Sequence, residues 1–311
     1  DQDRITMRPG TPTPLSGNPG RFERGIALIL VLWVVTLLAV IAGSFVYAAR
    51  SAALTAGNLV SIARARALAD AGTHRGLYEL VKPASDAERW KADGREHVFS
   101  LEDAEIRLVM RDESAKIDLN AANDALLKGL LLSAGQDEEQ ANQMLDAILD
   151  WRDADDLTRP QGAERDRYEA MGLPYIPANA PFRTVDELQR VVGITPDVYR
   201  KLAGALTVFS KQPGINSTLA PRQVLLALPG VTEESVDAYL AQREEMLATG
   251  QVPLPFPQAV GFEAGAAAQV YNLRSIAKAS DGTRFVREAV AKVAQDPKRP
   301  FTLLLWQEGR P

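Results

Sequence analysis

Residues 26–49 read IALILVLWVVTLLAVIAGSFVYAA, an apolar run without a single charge. At about 1.5 Å per residue a helix of this length crosses a hydrocarbon core of about 30 Å. The apolar part of a secretory signal covers only about 7–15 residues, so cleavage after Ala48 is the weaker reading. Upstream lies a polar leader, residues 1–25, with Met7 as a candidate start and Arg8, Arg21 and Arg24 set against Glu23. Basic residues on that side favour a cytoplasmic amino terminus and put everything after the span outside the cytoplasm; Arg50 makes the asymmetry modest.

The rest of the chain has globular composition. Of 311 residues, 46% are hydrophobic and 24% charged, and Lys+Arg 35 against Asp+Glu 40 leaves a net charge of −5. That balance excludes disorder and argues against a protein whose main work is gripping phosphates. Cysteine is absent, which removes disulfides, zinc thiolates and cysteine nucleophiles, and His74 and His97 are the two histidines. No G-x-x-x-x-G-K, H-E-x-x-H or G-x-S-x-G occurs, so catalysis is not expected.

Past Arg50 the pattern turns amphipathic, with Leu54, Ala65, Leu68, Ala69 and Leu77 at helical spacing. The spacing predicts one helix over 26–82, membrane-spanning at 26–49 and stopped by Pro83. Strand alternation follows at His97–Leu101 and Glu105–Arg111, with an acidic turn at Glu102-Asp103. It returns at Val270–Ile276, Thr283–Arg287 and Phe301–Trp306. Residues 116–268 between them read as almost wholly helical, which predicts one sheet domain, 83–115 with 269–311, carrying an inserted all-helical domain.

The insertion contains an imperfect repeat. Lys116–Ala122 (KIDLNAA) and Pro213–Ala220 (PGINSTLA) each precede a leucine-rich helix that Asn120 or Asn216 could cap. The second unit continues as ALPGVTEESVDAYLAQRE, similar to the helix-hairpin-helix of competence-type DNA receptors, where a Pro-Gly turn offers N–H groups to phosphate. Here Glu233, Glu234 and Asp237 follow the turn and nothing basic adjoins it before Arg243. Simple bundle packing without nucleic acid is the preferred reading.

The acidic loop is the second feature. Asp150, Asp153, Asp155, Asp156, Glu164 and Asp166 crowd one helix end and the loop after it, among Arg152, Arg159 and Arg165. Carboxylates at such spacing can converge on calcium, which takes six to eight oxygens in irregular geometry. Neutralisation by the three arginines is the competing reading. A hydrolase built on a carboxylate pair is a remote third, since no aromatic sugar platform accompanies the loop.

The junction Arg21-Phe22-Glu23-Arg24-Gly25, running directly into the apolar helix, resembles the leader of type IV prepilins and type II secretion pseudopilins. A plain anchor with an incidental glycine is its competing reading. That resemblance implies cleavage by a prepilin peptidase after Gly25 and methylation of the new amino terminus, Ile26. The fifth residue of such a mature chain is normally Glu; here it is Leu30. A buried amine in a filament needs a carboxylate on its neighbour, because an unpaired charge in an apolar core is costly. A subunit with Leu30 cannot neutralise a subunit ahead of it, and so suits the tip.

Taken with DESAKIDLNAA (112–122), AILDWRDADD (147–156), FRTVDELQRVVGITPDVYRKL (182–202) and INSTLA…LLALPGV (215–231), the chain resembles the general secretion pathway protein K family. These are the K-type minor pseudopilins of bacterial type II secretion, and the likeness runs from Gly25 almost to the end. The resemblance implies an α+β fold: a long amino-terminal transmembrane helix, a pseudopilin-like antiparallel sheet and a large all-helical insertion. It also implies a noncatalytic tip subunit, anchored once in the inner membrane with its carboxy-terminal domain in the periplasm, that initiates or caps the pseudopilus. Implied partners are minor pseudopilins I and J, the major pseudopilin and the prepilin peptidase. Calcium in the helical region is implied too, on the acidic loop. The runner-up is a membrane-anchored periplasmic DNA-binding protein of competence type.

Overall fold

A computed structural model describes residues 22–83, 85–265, 269–294 and 296–310, with side chains from Ile26 onward. It divides into two units, one reaching to Val60 and the other starting at Ser61. Helix α1 (Phe22–Val81) contains no proline, and Pro83 follows its end as expected. It begins at Phe22, so helical backbone already runs through the Gly25–Ile26 junction instead of starting after it.

Within the second unit, Ala65, Leu68, Ala69, Leu77 and Leu80 form the buried stripe of α1. Gly72 and Gly76 lie on the same stripe and let the helix press onto the sheet. A Cβ at Gly76 would stand 2.7 Å from Leu273 Cδ2 and 2.9 Å from Leu108 Cδ2.

Strands β1 (Asp93–Leu101) and β2 (Ala104–Asp112) form the expected hairpin, with Glu102 at φ 53 in its turn. Arg64 of α1 holds that turn, 3.0 Å from Glu102 and 2.6 Å from Asp103. The insertion follows: β3 (Ile117–Asp118), α2 (Asp124–Ser133), α3 (Glu138–Arg152), α4 (Arg165–Ala170), α5 (Pro196–Leu202), β4 (Leu206–Thr207), α6 (Arg222–Leu225) and α7 (Glu233–Ala248). The chain then returns through β5 (Val270–Lys278), β6 (Arg284–Val293) and β7 (Phe301–Glu308).

The sheet order is β1-β2-β5-β6-β7, antiparallel at every pairing. Ile106, Leu108, Met110, Leu273, Ala277, Phe285, Ala289 and Ala291 supply buried apolar positions, as alternation on one covered face requires. The insertion has its own core, with Leu126, Leu127, Leu130 and Leu131 of α2 against Ile148, Trp151, Tyr168, Leu188, Leu202, Val224 and Val236.

Three expectations needed correction. The insertion is not purely helical: β3 and β4 pair in parallel, Ile117 with Leu206 and Asp118 with Thr207. Buried Asp118 fastens that ladder, accepting from the Asn120, Ala121 and Lys211 N–H groups at 2.8, 3.1 and 2.8 Å. Asn120 does not cap α2; Asn123 does, while Asn120 exchanges two hydrogen bonds with the Phe182 backbone at 2.9 and 2.7 Å. Asn216 serves the turn before α6, accepting from Thr218 N and Oγ1, and Pro221 stands at the N-cap of α6.

Candidate functional site

The first site is the apolar half of α1. Its leader, with Arg8 and Arg21, lies outside the described residues, as do the side chains of Glu23 and Arg24. From Ile26 the helix is long and apolar enough to cross a membrane, with an 18-residue window of mean hydropathy 2.9. Its large side chains are exposed, Trp33 at 71% and Phe45 at 74%. The hydroxyls on this stretch bond within the helix, Thr36 to the Leu32 carbonyl and Ser44 to the Ile41 carbonyl at 2.8 Å each. That internal satisfaction is what a lipid environment demands of polar groups. Leu30 is 61% exposed and contributes one more apolar side chain to this surface.

The second site is the acidic loop. Asp150, in the last turn of α3, is fully buried and accepts from Ala163 N at 2.9 Å and Arg159 N at 3.3 Å. Gly162 makes the approach possible, since a Cβ there would lie 1.9 Å from Asp150 Oδ2. Asp153, the C-cap of α3, meets Arg159 at 3.4 Å through one oxygen and keeps the other buried without a partner. Asp156 accepts from Asn179 Nδ2 at 2.8 Å. Asp155 turns to the Leu157 N–H at 2.9 Å, and Asp166 stands exposed in the first turn of α4.

Glu164 is the outlier. It is 4% exposed, neither carboxylate oxygen has a hydrogen-bond partner, and it makes no side-chain cap to α4. Burial, followed by the charges of Asp150, Asp153, Asp156 and Asp155, pushes its pKa up to about 7. Burial also raises Asp150, against the pull of its two backbone N–H donors. Among the described residues, no three carboxylate or histidine groups are gathered closely enough to enclose an ion as they stand.

Of the three arginines set against this loop, Arg159 pairs with it. Arg152 instead donates to the Leu119 carbonyl and lies 3.7 Å from Asp124, while Arg165 is exposed. Two participants escaped sequence reasoning. Asp146 accepts from Gln161 N at 3.0 Å, and Asn179, at φ 44, keeps its amide oxygen buried and unpartnered. Asn179 is remote in the chain and not acidic, so carboxylate spacing held no signal for it.

The hairpin at Pro229-Gly230 offers no phosphate cradle. Arg222 crosses its mouth to Glu233 at 2.9 Å and Asp237 at 2.6 Å, closing the start of α7 with its own ion pairs. Arg243 points to the carbonyls of Ser217, Thr218 and Ala220, nearest 2.7 Å. Nothing here supports the DNA-binding alternative.

A long apolar helix whose second half packs on an antiparallel sheet, with a helical block inserted between sheet strands, is the architecture expected of a pseudopilin with an enlarged domain. Residues 101–211 match the family model described as type II secretion system (T2SS), protein K. Over that stretch the chain is similar to the type II secretion system protein K family. It is 29% identical to type II secretion system protein K of Klebsiella pneumoniae, over 66% of this chain and 69% of the relative. Against the Aeromonas hydrophila protein of the same name identity is 26%, over 89% of this chain and 95% of the relative. Its fold is similar to a chain in the crystal structure of the GspK-GspI-GspJ complex from enterotoxigenic Escherichia coli. That similarity has a TM-score of 0.61 at 18% identity and covers 80% of this chain and 96% of that one.

Proposed function

We propose that this chain is a minor pseudopilin of type II secretion that sits at the tip of the secretion pseudopilus and initiates or caps its assembly. The observation that carries the reading is Leu30: α1 presents a leucine where a subunit inside the filament needs a carboxylate for its neighbour's amine. Prepilin peptidase would cut after Gly25, leaving methylated Ile26 to begin the helix. Before assembly the apolar half of α1 holds the chain in the inner membrane, with the folded unit in the periplasm. Afterwards that half packs beneath the tip, onto the major pseudopilin.

Minor pseudopilins of the I and J types are the partners, by analogy with the complex whose K chain shares this fold. The role is mechanical and not catalytic. In support, His74 packs on Trp306 and His97 stacks on Trp90, with ring centroids 5.5 and 4.4 Å apart. Mixing the full-length chain in detergent with I and J proteins from the same secretion system tests the reading. A stable ternary complex is expected, and failure to co-elute overturns it.

Calcium on the acidic loop is part of the same proposal. The donor chemistry fits, and an ion would have to draw the groups closer than they stand: Glu164, Asp153 and Asn179 each hold buried oxygen atoms without partners, beside Asp150 and Asp156. Hard oxygens of mixed carboxylate and amide type are what calcium prefers. A bound ion would supply the positive charge that lets Glu164 ionise. The chain's own part is to fasten the loop to α3 through Asp150, Asp146 and the Asp156–Asn179 contact.

A further inference from the structure

We propose that Arg159 is a built-in competitor for the cation of the acidic loop, its guanidinium and a divalent cation contending for the carboxylates of Asp150 and Asp153. The proposal rests on the calcium reading above and adds a device to it. Arg159 Nε lies 3.3 Å from Asp150 Oδ1, and its terminal nitrogen lies 3.4 Å from Asp153 Oδ2. Charge-assisted pairs usually close to about 2.7–2.9 Å, so this grip is loose. The backbone of Arg159 is fixed separately, its N–H also facing Asp150 at 3.3 Å, so the side chain can leave without unfolding the loop. At 41% side-chain exposure it has an open way to solvent.

Geometry makes the two occupants exclusive. A guanidinium is a flat fork that serves one or two carboxylates from one side. A calcium ion draws in six to eight oxygens from all directions at about 2.3–2.6 Å. Arg159 reaches Asp150 and Asp153, yet Glu164 keeps both buried oxygens without a partner. The arginine therefore neutralises part of the cluster and leaves part uncompensated. A cation drawing on Asp150, Asp153 and Glu164 together would take Arg159's partners and repel its charge. Neither Arg152, committed to the Leu119 carbonyl, nor exposed Arg165 is placed to act in its stead. Arg159 would set how much free calcium is needed to load the loop.

The test is calorimetric titration of the full-length chain in detergent micelles with calcium chloride, for the native protein, Arg159→Gln and Arg159→Lys. Removing the competitor should tighten binding about tenfold in Arg159→Gln, with Arg159→Lys between the two, because a point charge still competes. In the native chain, calcium should speed modification of Arg159 by phenylglyoxal several-fold, read by peptide mass, while Arg165 stays unchanged. This second readout stands even where Arg159→Gln folds poorly. Calcium binding by Arg159→Gln alone would also bear the proposal out. Equal or weaker binding by Arg159→Gln, or Arg159 labelling indifferent to calcium, overturns the competitor role while leaving the calcium site in place. Binding by none of the three proteins overturns both.

Discussion

Arg287 of β6 and Asp70 of α1 meet at 2.5 Å where the helix crosses the sheet, and Arg287 is only 2% exposed. The guanidinium also lies 5.1 Å from the ring centroids of Phe285 and Trp306. A buried cation is tolerated here because a carboxylate and two aromatic faces meet it. The contact fixes which turn of α1 rests on which strand.

Removing the arginine should be costly. Arg287→Ala leaves Asp70 without its partner and opens a void between two rings. Breaking a fully buried pair costs about 3–5 kcal/mol; because Asp70 is partly solvated, about 2–3 kcal/mol is expected here. Asp70→Asn, which keeps a hydrogen-bond acceptor, should cost less. Denaturant unfolding of the full chain in detergent, followed by tryptophan fluorescence, measures both.

A second prediction concerns the insertion core. A Cβ at Gly129 of α2 would stand 1.9 Å from the carbonyl oxygen of Ala227, a backbone atom that no rotamer change can move. Gly129→Ala gains about 1 kcal/mol of helix propensity and loses more to overpacking. A net loss of about 2 kcal/mol is expected, read as a lower melting temperature. Gly57→Ala, with nothing within 4 Å of its Cβ, should not destabilise.

The third prediction is a pH dependence. Glu164 has its pKa pushed from 4.5 up to about 7 in the folded chain. The native state thus holds a proton that the unfolded state releases at lower pH, and stability falls as pH rises between about 4.5 and 7. At about 1.4 kcal/mol per pH unit the loss approaches 3 kcal/mol. In chelator the melting temperature should drop across this window, and Glu164→Gln should flatten the profile. Calcium should restore stability at pH 7 and above, by about 2.7 kcal/mol at 100 times its dissociation constant.

Local signals carried much of this structure. Alternation in 105–111 with Glu102-Asp103 before it located the first hairpin, and Pro83 marked the end of α1. The strand expected at Thr283–Arg287 runs on to Val293, where Val290 and Ala291 are both buried and two-sided burial erases the alternation. Long-range choices were not legible. The β3–β4 ladder joins residues far apart through two pairs. Nothing local says that Arg159 turns inward while Arg152 leaves for Leu119. Carboxylate spacing brought Asp150, Asp153, Asp156 and Glu164 into view, but Asn179 reaches the loop only through the fold.

The central claim is position: a subunit with Leu30 belongs at the end of the pseudopilus. Its most direct test is immunogold labelling of this chain on assembled pseudopili, with the gold position scored along each filament. The account predicts label confined to one end, at about one particle per filament. Gold distributed along the filament length would contradict it.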